Sequence, residues 1–341
     1  MNVASQIDAL RREWGARLII LGHHYQTSAV LSHADVIGDS LELSRKAAAA
    51  REAERIVFCG VHFMAESAAL LAAPQQQVYM PDVQAGCPMA EMADVPRVST
   101  AWNELNQLDP GNWIPVVYVN SQADLKAFCG NRGGITCTSS NARKVLQWVL
   151  DQNRRIFFLP DEHLGTNTLH DMGFPDEAVA VYDPRHPEGG LSGNALRNCR
   201  MVAWKGFCRV HTLFTPEQVR EVRRLHPTAL IIVHPESPKA VVRLADAHGS
   251  TAQIIDYVRA APEGSIIVIG TERHLVERLA EEYRGRKTIL TLWPSGCANM
   301  ARTNPAKLLD LLSTWPGRNR IEVAPALVPD ARLALDRMMS L

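Results

Sequence analysis

The chain of 341 residues is 46% hydrophobic and 21% charged, and its 36 Lys and Arg are balanced by 36 Asp and Glu. Two or three domains are expected at this length, and the even charge argues against nucleic acid as a partner. The N-terminal MNVASQIDALRREW mixes charge into a helical pattern, and no later run approaches the ~20 apolar residues of a membrane span. Export and membrane insertion are therefore not expected, and the expected location is cytoplasmic.

In chain order, the first strand is LIILG at 18–22, which ends in the polar cluster His23, His24 and Tyr25. A hydroxyl-bearing turn then opens a helix, GDSLELSRKA from position 38. A second strand follows, RIVFCG at 55–60, and a third, VYM at 78–80, runs on to Cys87. The series then restarts. IPVVYVN ends in Tyr118, Val119 and Asn120, CTSSNARKVLQWV opens at 137, RRIFFLPDEH supplies the second strand, and MVAWKGFC closes on Cys208. It restarts once more with ALIIVHPE, ending in His234, Pro235 and Glu236, then GSTAQIIDYV from 249, SIIVIGTERH, and TILTLWPSGC up to Cys297.

Strand-length apolar runs alternating with helical segments indicate α/β architecture with parallel sheets, here written three times. The spacings agree: Ser40 to Cys87 is 47 residues and Thr251 to Cys297 is 46. Ser139 to Cys208 takes 69, and a Pro/Gly-rich segment at about 174–198 accounts for the excess. That segment reads first as a surface loop. A repeat of this length is too long for a solenoid. The expected fold is three similar α/β/α domains with short parallel sheets around a pseudo-threefold axis: 1–97, 98–212 with the insertion, and 213–341 with an added C-terminal strand and helix.

Ligands of parallel sheets bind beyond the carboxyl ends of the strands. Three equivalent polar clusters there, around His23 and Tyr25, Tyr118 and Asn120, and His234 and Glu236, point to one shared site. Ser40, Ser139 and Thr251 fall at helix N-termini, where free N–H groups and the helix dipole favour anions. Each alone reads first as an N-cap, but three around one cleft would receive three acidic groups.

The seven cysteines are odd in number and contain no CxxC, which argues against a disulfide framework and against a local chelate. Cys59, Cys129, Cys137 and Cys199 read as buried apolar residues. Cys87, Cys208 and Cys297 each end the third strand of a repeat, beside Gly86, Gly206 and Gly296, and would meet at a threefold axis. Three thiolates suit a zinc ion with an open position, to which His211 or Glu91 could add a ligand, or a [4Fe-4S] cluster with one free iron.

These motifs, running from HHYQ at 23–26 through IGDSLELSR, GVHFMAES, MPDVQAGCPMA, YVNS, CTSSNA, PDEHLG, GFCRVH, HPESP and GST to CANM at 297–300, resemble the quinolinate synthase family, A type, of bacterial NAD biosynthesis. The resemblance implies a [4Fe-4S] cluster on Cys87, Cys208 and Cys297. It implies a condensing transferase that joins iminoaspartate (iminosuccinate) to dihydroxyacetone phosphate, giving quinolinate, phosphate and water, with the open iron as a Lewis acid in dehydration. An L-aspartate oxidase is the implied functional link for supply of iminoaspartate. Substrate contacts are implied at His23, Ser40, Tyr118, Val119, Asn120, Ser139, His234, Pro235, Glu236 and Thr251, and Tyr25, Tyr118, His234 and Glu236 are the groups able to move protons. Many members carry Tyr or Asn at the position of His24. The rival readings are an iron-sulfur dehydratase acting on another dicarboxylate and a non-catalytic iron-sulfur sensor. The second needs only the cysteines.

Overall fold

The computed structural model describes residues 2–341. Among the described residues, fourteen strands fall into three sheets. The first sheet holds β1 (Leu18–His23), β2 (Val36–Gly38), β3 (Arg55–Cys59) and β4 (Gln77–Tyr79). The second holds β5 (Trp113–Tyr118), β6 (Ile135–Cys137), β7 (Arg155–Leu159), β8 (Val179–Tyr182) and β9 (Met201–Trp204). The third holds β10 (Leu230–Val233), β11 (Ala247–His248), β12 (Ile266–Gly270) and β13 (Thr288–Thr291), and β14 (Arg320–Ile321) returns to the first.

One order recurs: β2-β1-β3-β4, β6-β5-β7-β9 and β11-β10-β12-β13, all parallel. Strands covered by helices on both faces read as continuous apolar runs. β7 (RIFFL) is buried at every position, and β12 (IIVIG) at all but its first.

The repeat extends to single hydrogen bonds. The carboxylate of Asp35 accepts from the Ile20 N–H at 2.7 Å and from Arg11 at 2.5 Å. Asp246 does the same for Ile231 at 2.7 Å and Arg223 at 2.5 Å. The first amide of the helix after each second strand donates to a carbonyl two residues before a cysteine: His62 to Ala85 at 2.8 Å, Glu162 to Gly206 at 2.9 Å and Arg273 to Ser295 at 2.8 Å. This tie makes Cys208, not Cys199, the counterpart of Cys87 and Cys297. Gly206 is required there, because a Cβ would stand 2.3 Å from the Pro160 carbonyl oxygen.

Two additions break the threefold pattern. The segment expected as a surface loop at 174–198 contributes β8, which pairs in parallel with β9 at the sheet edge and buries Ala180 and Tyr182. The C-terminal segment does not stay with the third unit. β14 pairs antiparallel with β4, the helix Pro305–Thr314 packs on Val3–Trp14, and Val328–Ser340 packs on Ala123–Gly130 of the second unit.

The first two units and the last helix share one apolar core that includes Leu21, Phe58, Ile114, Phe158, Leu335 and Met338. The third unit packs its own two faces, around Ile254 and Ile269 and around Phe214 and Ile231. It meets the others through Tyr25, which packs against the first of these faces, and through polar contacts such as Asn167 Nδ2 to the carbonyls of Pro235 (2.8 Å) and Ser237 (2.9 Å). Among the described residues no helix is long and apolar enough to cross a membrane.

Candidate active site

The carboxyl ends of the three sheets face one cavity of about 460 Å³. Its walls include His23 and Tyr25 from the first unit, Tyr118 and Asn120 from the second, and His234 and Glu236 from the third. Each pair is spaced i, i+2, as expected where extended backbone turns alternate side chains to one face. The residues between them behave differently. Val119 is buried and outside the lining, and so is Pro235, whose carbonyl is held by Asn167. His24 turns aside, and its carbonyl and Nδ1 accept from Arg278 at 2.9 and 3.0 Å. First and third units repeat the same local turn: the Tyr25 N–H donates to His23 Nδ1 at 3.2 Å, and the Glu236 N–H to His234 Nδ1 at 3.3 Å.

Ser40, Ser139 and Thr251 all reach the cavity, but none is an N-cap. Asp39 caps Ser40–Ala49 by accepting from Leu41 and Glu42, and Ser250 caps Thr251–Ala260 in a capping box with Gln253. In the second unit the helix begins at Ala142 after Asn141. Asp39 and Ser250 leave Ser40 and Thr251 free of the capping role at the first position of their helices, beside the first unpaired amides, while Ser139 lines the cavity from the turn before Ala142. Asp39 also accepts from Ser140 at 2.6 Å, joining the first two units at this wall.

The central polar contact crosses from second to third unit: Tyr118 Oη donates to Glu236 Oε1 at 2.5 Å. Burial raises the Glu236 carboxyl above its usual range, and burial followed by the Glu236 charge raises the Tyr118 phenol. The phenol therefore keeps its proton at neutral pH and donates it in a hydrogen bond to a carboxyl that burial disposes toward protonation. Tyr25 Oη accepts from Thr251 Oγ1 at 3.2 Å and bonds Thr271 Oγ1 at 2.8 Å, and burial raises its phenol too. Burial lowers His23 and His234, so both imidazoles stay neutral.

Sequence reading singled out His211 only as an added zinc ligand. It is 2% exposed, stacks on His234 with ring centroids 4.3 Å apart, and is lowered to about 3 by burial. Arg209, at the cavity mouth, was not foreseen. It is the one Lys or Arg in the lining, is exposed, and among the described residues its guanidinium pairs with no acid. Thr271 and Glu272, both fully buried behind the wall, were also missed.

Cys87, Cys208 and Cys297 line the same cavity, partly buried, whereas Cys59, Cys129, Cys137 and Cys199 are buried elsewhere. Burial raises all three lining thiols, Cys87 to about 12, and Cys87 is raised further by Cys297, and Cys208 by Glu236 and Cys87. Three thiols close enough to disfavour one another's ionisation form a donor set that a multivalent cationic centre would relieve. The three cysteines, one from each unit, are thus the sulfur donors that line this cavity.

Residues 5–340 match the family described as Quinolinate synthetase A protein. A quinolinate synthase of Corynebacterium glutamicum is 46% identical over 332 residues, covering 96% of this chain and 84% of that protein. The chain belongs to the quinolinate synthetase A family. The quinolinate synthase of Bacillus subtilis is 44% identical, covering 100% of this chain and 93% of its own, and that of Acidobacterium capsulatum is 46% identical with the same coverage. A reductase structure, E-1-hydroxy-2-methyl-but-2-enyl-4-diphosphate reductase from Plasmodium falciparum, aligns at 11% identity with a TM-score of 0.27, too low to bear on fold or function. Membership places this quinolinate synthase relative in NAD biosynthesis.

Proposed function

We propose that the chain condenses iminoaspartate with dihydroxyacetone phosphate to quinolinate, releasing phosphate and two waters, as a transferase carrying a [4Fe-4S] cluster on Cys87, Cys208 and Cys297. The observation that carries this reading is the convergence, in one cavity, of three cysteines, the hydroxyls of Ser40, Ser139 and Thr251, and the Tyr118–Glu236 pair, with contributions from all three units. A bound cluster with one iron free of protein ligands supplies a Lewis acid for a substrate hydroxyl that must leave.

The protein's own groups do the rest. The two carboxylates and one phosphate of the substrates match in number the cavity-lining hydroxyls of Ser40 and Thr251, at helix starts, and Ser139, in the turn before a helix. Glu236 and Tyr118 hold a proton between Oε1 and Oη, and the pair gives or takes it as carbon–carbon and carbon–nitrogen bonds form. Tyr25 is held by two threonine hydroxyls in position to do the same. Neutral His234, stacked on His211, accepts or donates at a substrate oxygen, while His23 and Asn120 orient oxygens. An L-aspartate oxidase is the implied source of the unstable imine.

A second donor set, Cys208, His211 and Glu236, has its ligand atoms within 4.8 Å of one another and would suit zinc. It would leave Cys87 and Cys297 without a role, and metal analysis of anaerobically purified protein separates the two. The deciding assay supplies iminoaspartate and dihydroxyacetone phosphate to iron-loaded protein without oxygen. Quinolinate and phosphate in equal amounts are expected. An intact cluster with no quinolinate would replace this reading with a dehydratase of another dicarboxylate, and iron binding without turnover of any dicarboxylate would leave a sensor.

A further inference from the structure

The residue that caps the helix after each second strand differs among the three units. It is Val61 in the first, Asp161 in the second and Glu272 in the third. Each immediately precedes the amide that ties its helix to the cysteine loop of its own unit. Val61 makes no side-chain cap. Asp161 accepts from the Leu164 N–H at 2.7 Å, and its Oδ2 has no partner among the described residues. Glu272, one methylene longer and fully buried, does more. Its Oε2 caps the helix through the His274 N–H at 2.8 Å, while Oε1 accepts from His274 Nδ1 at 2.9 Å and from the Cys297 N–H at 3.2 Å.

We propose that Glu272 is a positioning residue that fixes Cys297 by holding its backbone amide. The neighbouring Thr271 bonds Tyr25, and Gln26 Nε2 donates to the Met300 carbonyl at 3.0 Å. One dipeptide at the end of β12 thus sets both the phenol and the third cysteine against the same frame. A buried carboxylate with three charge-assisted bonds is a stiff support, because releasing any one leaves a donor unpaired away from water. The role of Cys297 as an iron ligand rests on the proposed function, whereas its restraint by Glu272 does not.

The internal repeat supplies the separating variant. Glu272→Asp installs the side chain that caps the equivalent helix in the second unit, where the acid reaches no cysteine amide, so the cap is kept and the Cys297 bond is lost. In metal-free protein, peptide-resolved alkylation by iodoacetamide is expected to speed up about tenfold at Cys297, the scale set by one charge-assisted hydrogen bond. Cys87 and Cys208 should react at wild-type rates, and the melting temperature should fall by only a few degrees, the scale of one unpaired buried donor. Glu272→Gln keeps an acceptor oxygen and should restore the slow rate. In iron-loaded protein the Asp variant should lose iron to a chelator faster and shift the electron paramagnetic resonance signal of the reduced cluster. A wild-type rate at Cys297 in Glu272→Asp, or equal acceleration at all three cysteines, would overturn the assignment. Wild-type protein that binds no iron would instead sink the cluster reading and leave the alkylation result standing.

Discussion

Replacing Gly130 with alanine tests how the last helix holds the molecule together. The helices Ala123–Gly130 and Val328–Ser340 approach so closely that a Cβ at position 130 would stand 1.9 Å from the Asp330 carbonyl oxygen, 2.8 Å from its carbon and 3.3 Å from the Ala334 nitrogen. These are backbone atoms, so no rotamer change relieves the overlap and the last helix must move as a body. Movement strains the bonds from Arg337 to the carbonyls of Gly130 (3.0 Å) and Gly134 (2.5 Å) and loosens Ala331, Ala334, Leu335 and Met338, all 0% exposed. Overpacking relieved by a small backbone shift costs about 1–3 kcal/mol. At roughly 2 °C per kcal/mol for a chain this long, the expected fall in Tm is about 2–6 °C. Calorimetry measures the shift, and limited proteolysis should show the tail cut before the rest. Gly317→Ala is the control, since nothing lies within 4 Å of its Cβ and its φ is not positive. A Gly130→Ala protein with wild-type Tm and a protected tail would refute the reasoning.

Serine at 87, 208 or 297 should empty the protein of iron, whereas serine at 59, 129, 137 or 199 should leave iron content near wild type, and metal analysis reads the difference. Tyr118→Phe removes the 2.5 Å bond to Glu236 while keeping the ring; turnover should drop about 10²–10⁴-fold with iron retained, and an unchanged rate would exclude this phenol from proton transfer. His24 is lowered to about 4, first by burial and then by Arg278. An unfolded chain takes up this proton near pH 6.5 and the native one does not, so up to about 3 kcal/mol of stability should drain away between pH 6.5 and 4. Denaturant titrations at pH 7 and 5 should show a smaller loss for His24→Gln than for wild type. Arg209→Gln removes the unpaired cation at the cavity mouth and should raise KM for the anionic substrates more than it lowers kcat, with KM of the native protein rising with salt.

Much of the site was legible because polar landmarks were repeated. The i, i+2 pairs at three strand ends, and a cysteine at a fixed distance after each, stand out against apolar strands. Ser40 and Thr251 fall at helix starts as expected but do not cap them, since Asp39 and Ser250, equally good caps, immediately precede them, and Ser139 falls in a turn three residues before its helix. Thr271 and Glu272 gave no signal: a threonine and a glutamate after a strand read as solvent-facing, and only the fold reveals that both are sealed behind the cysteine loop. The destination of the tail was equally hidden. β14 is two residues long, and its partner is chosen by the free edge of β4, a tertiary fact.

The return of the tail has a mechanical consequence. The chain enters the third unit through 205–214 and leaves it through 293–299, after which it is again anchored in the core of the other two. The third unit is thus an inserted body on two tethers within a closed frame, joined to that frame by polar contacts and by the ring of Tyr25, which packs against one of its apolar faces. A body held at two points keeps one easy rotation, about the line joining them. Cys208 lies in one tether and Cys297 in the other. Along that line displacement is smallest, and it grows with distance from it. A swing that widens the gap between Tyr118 and Glu236 would therefore leave Cys208 and Cys297 nearly at rest, so a cavity built this way would open without pulling its cysteines apart.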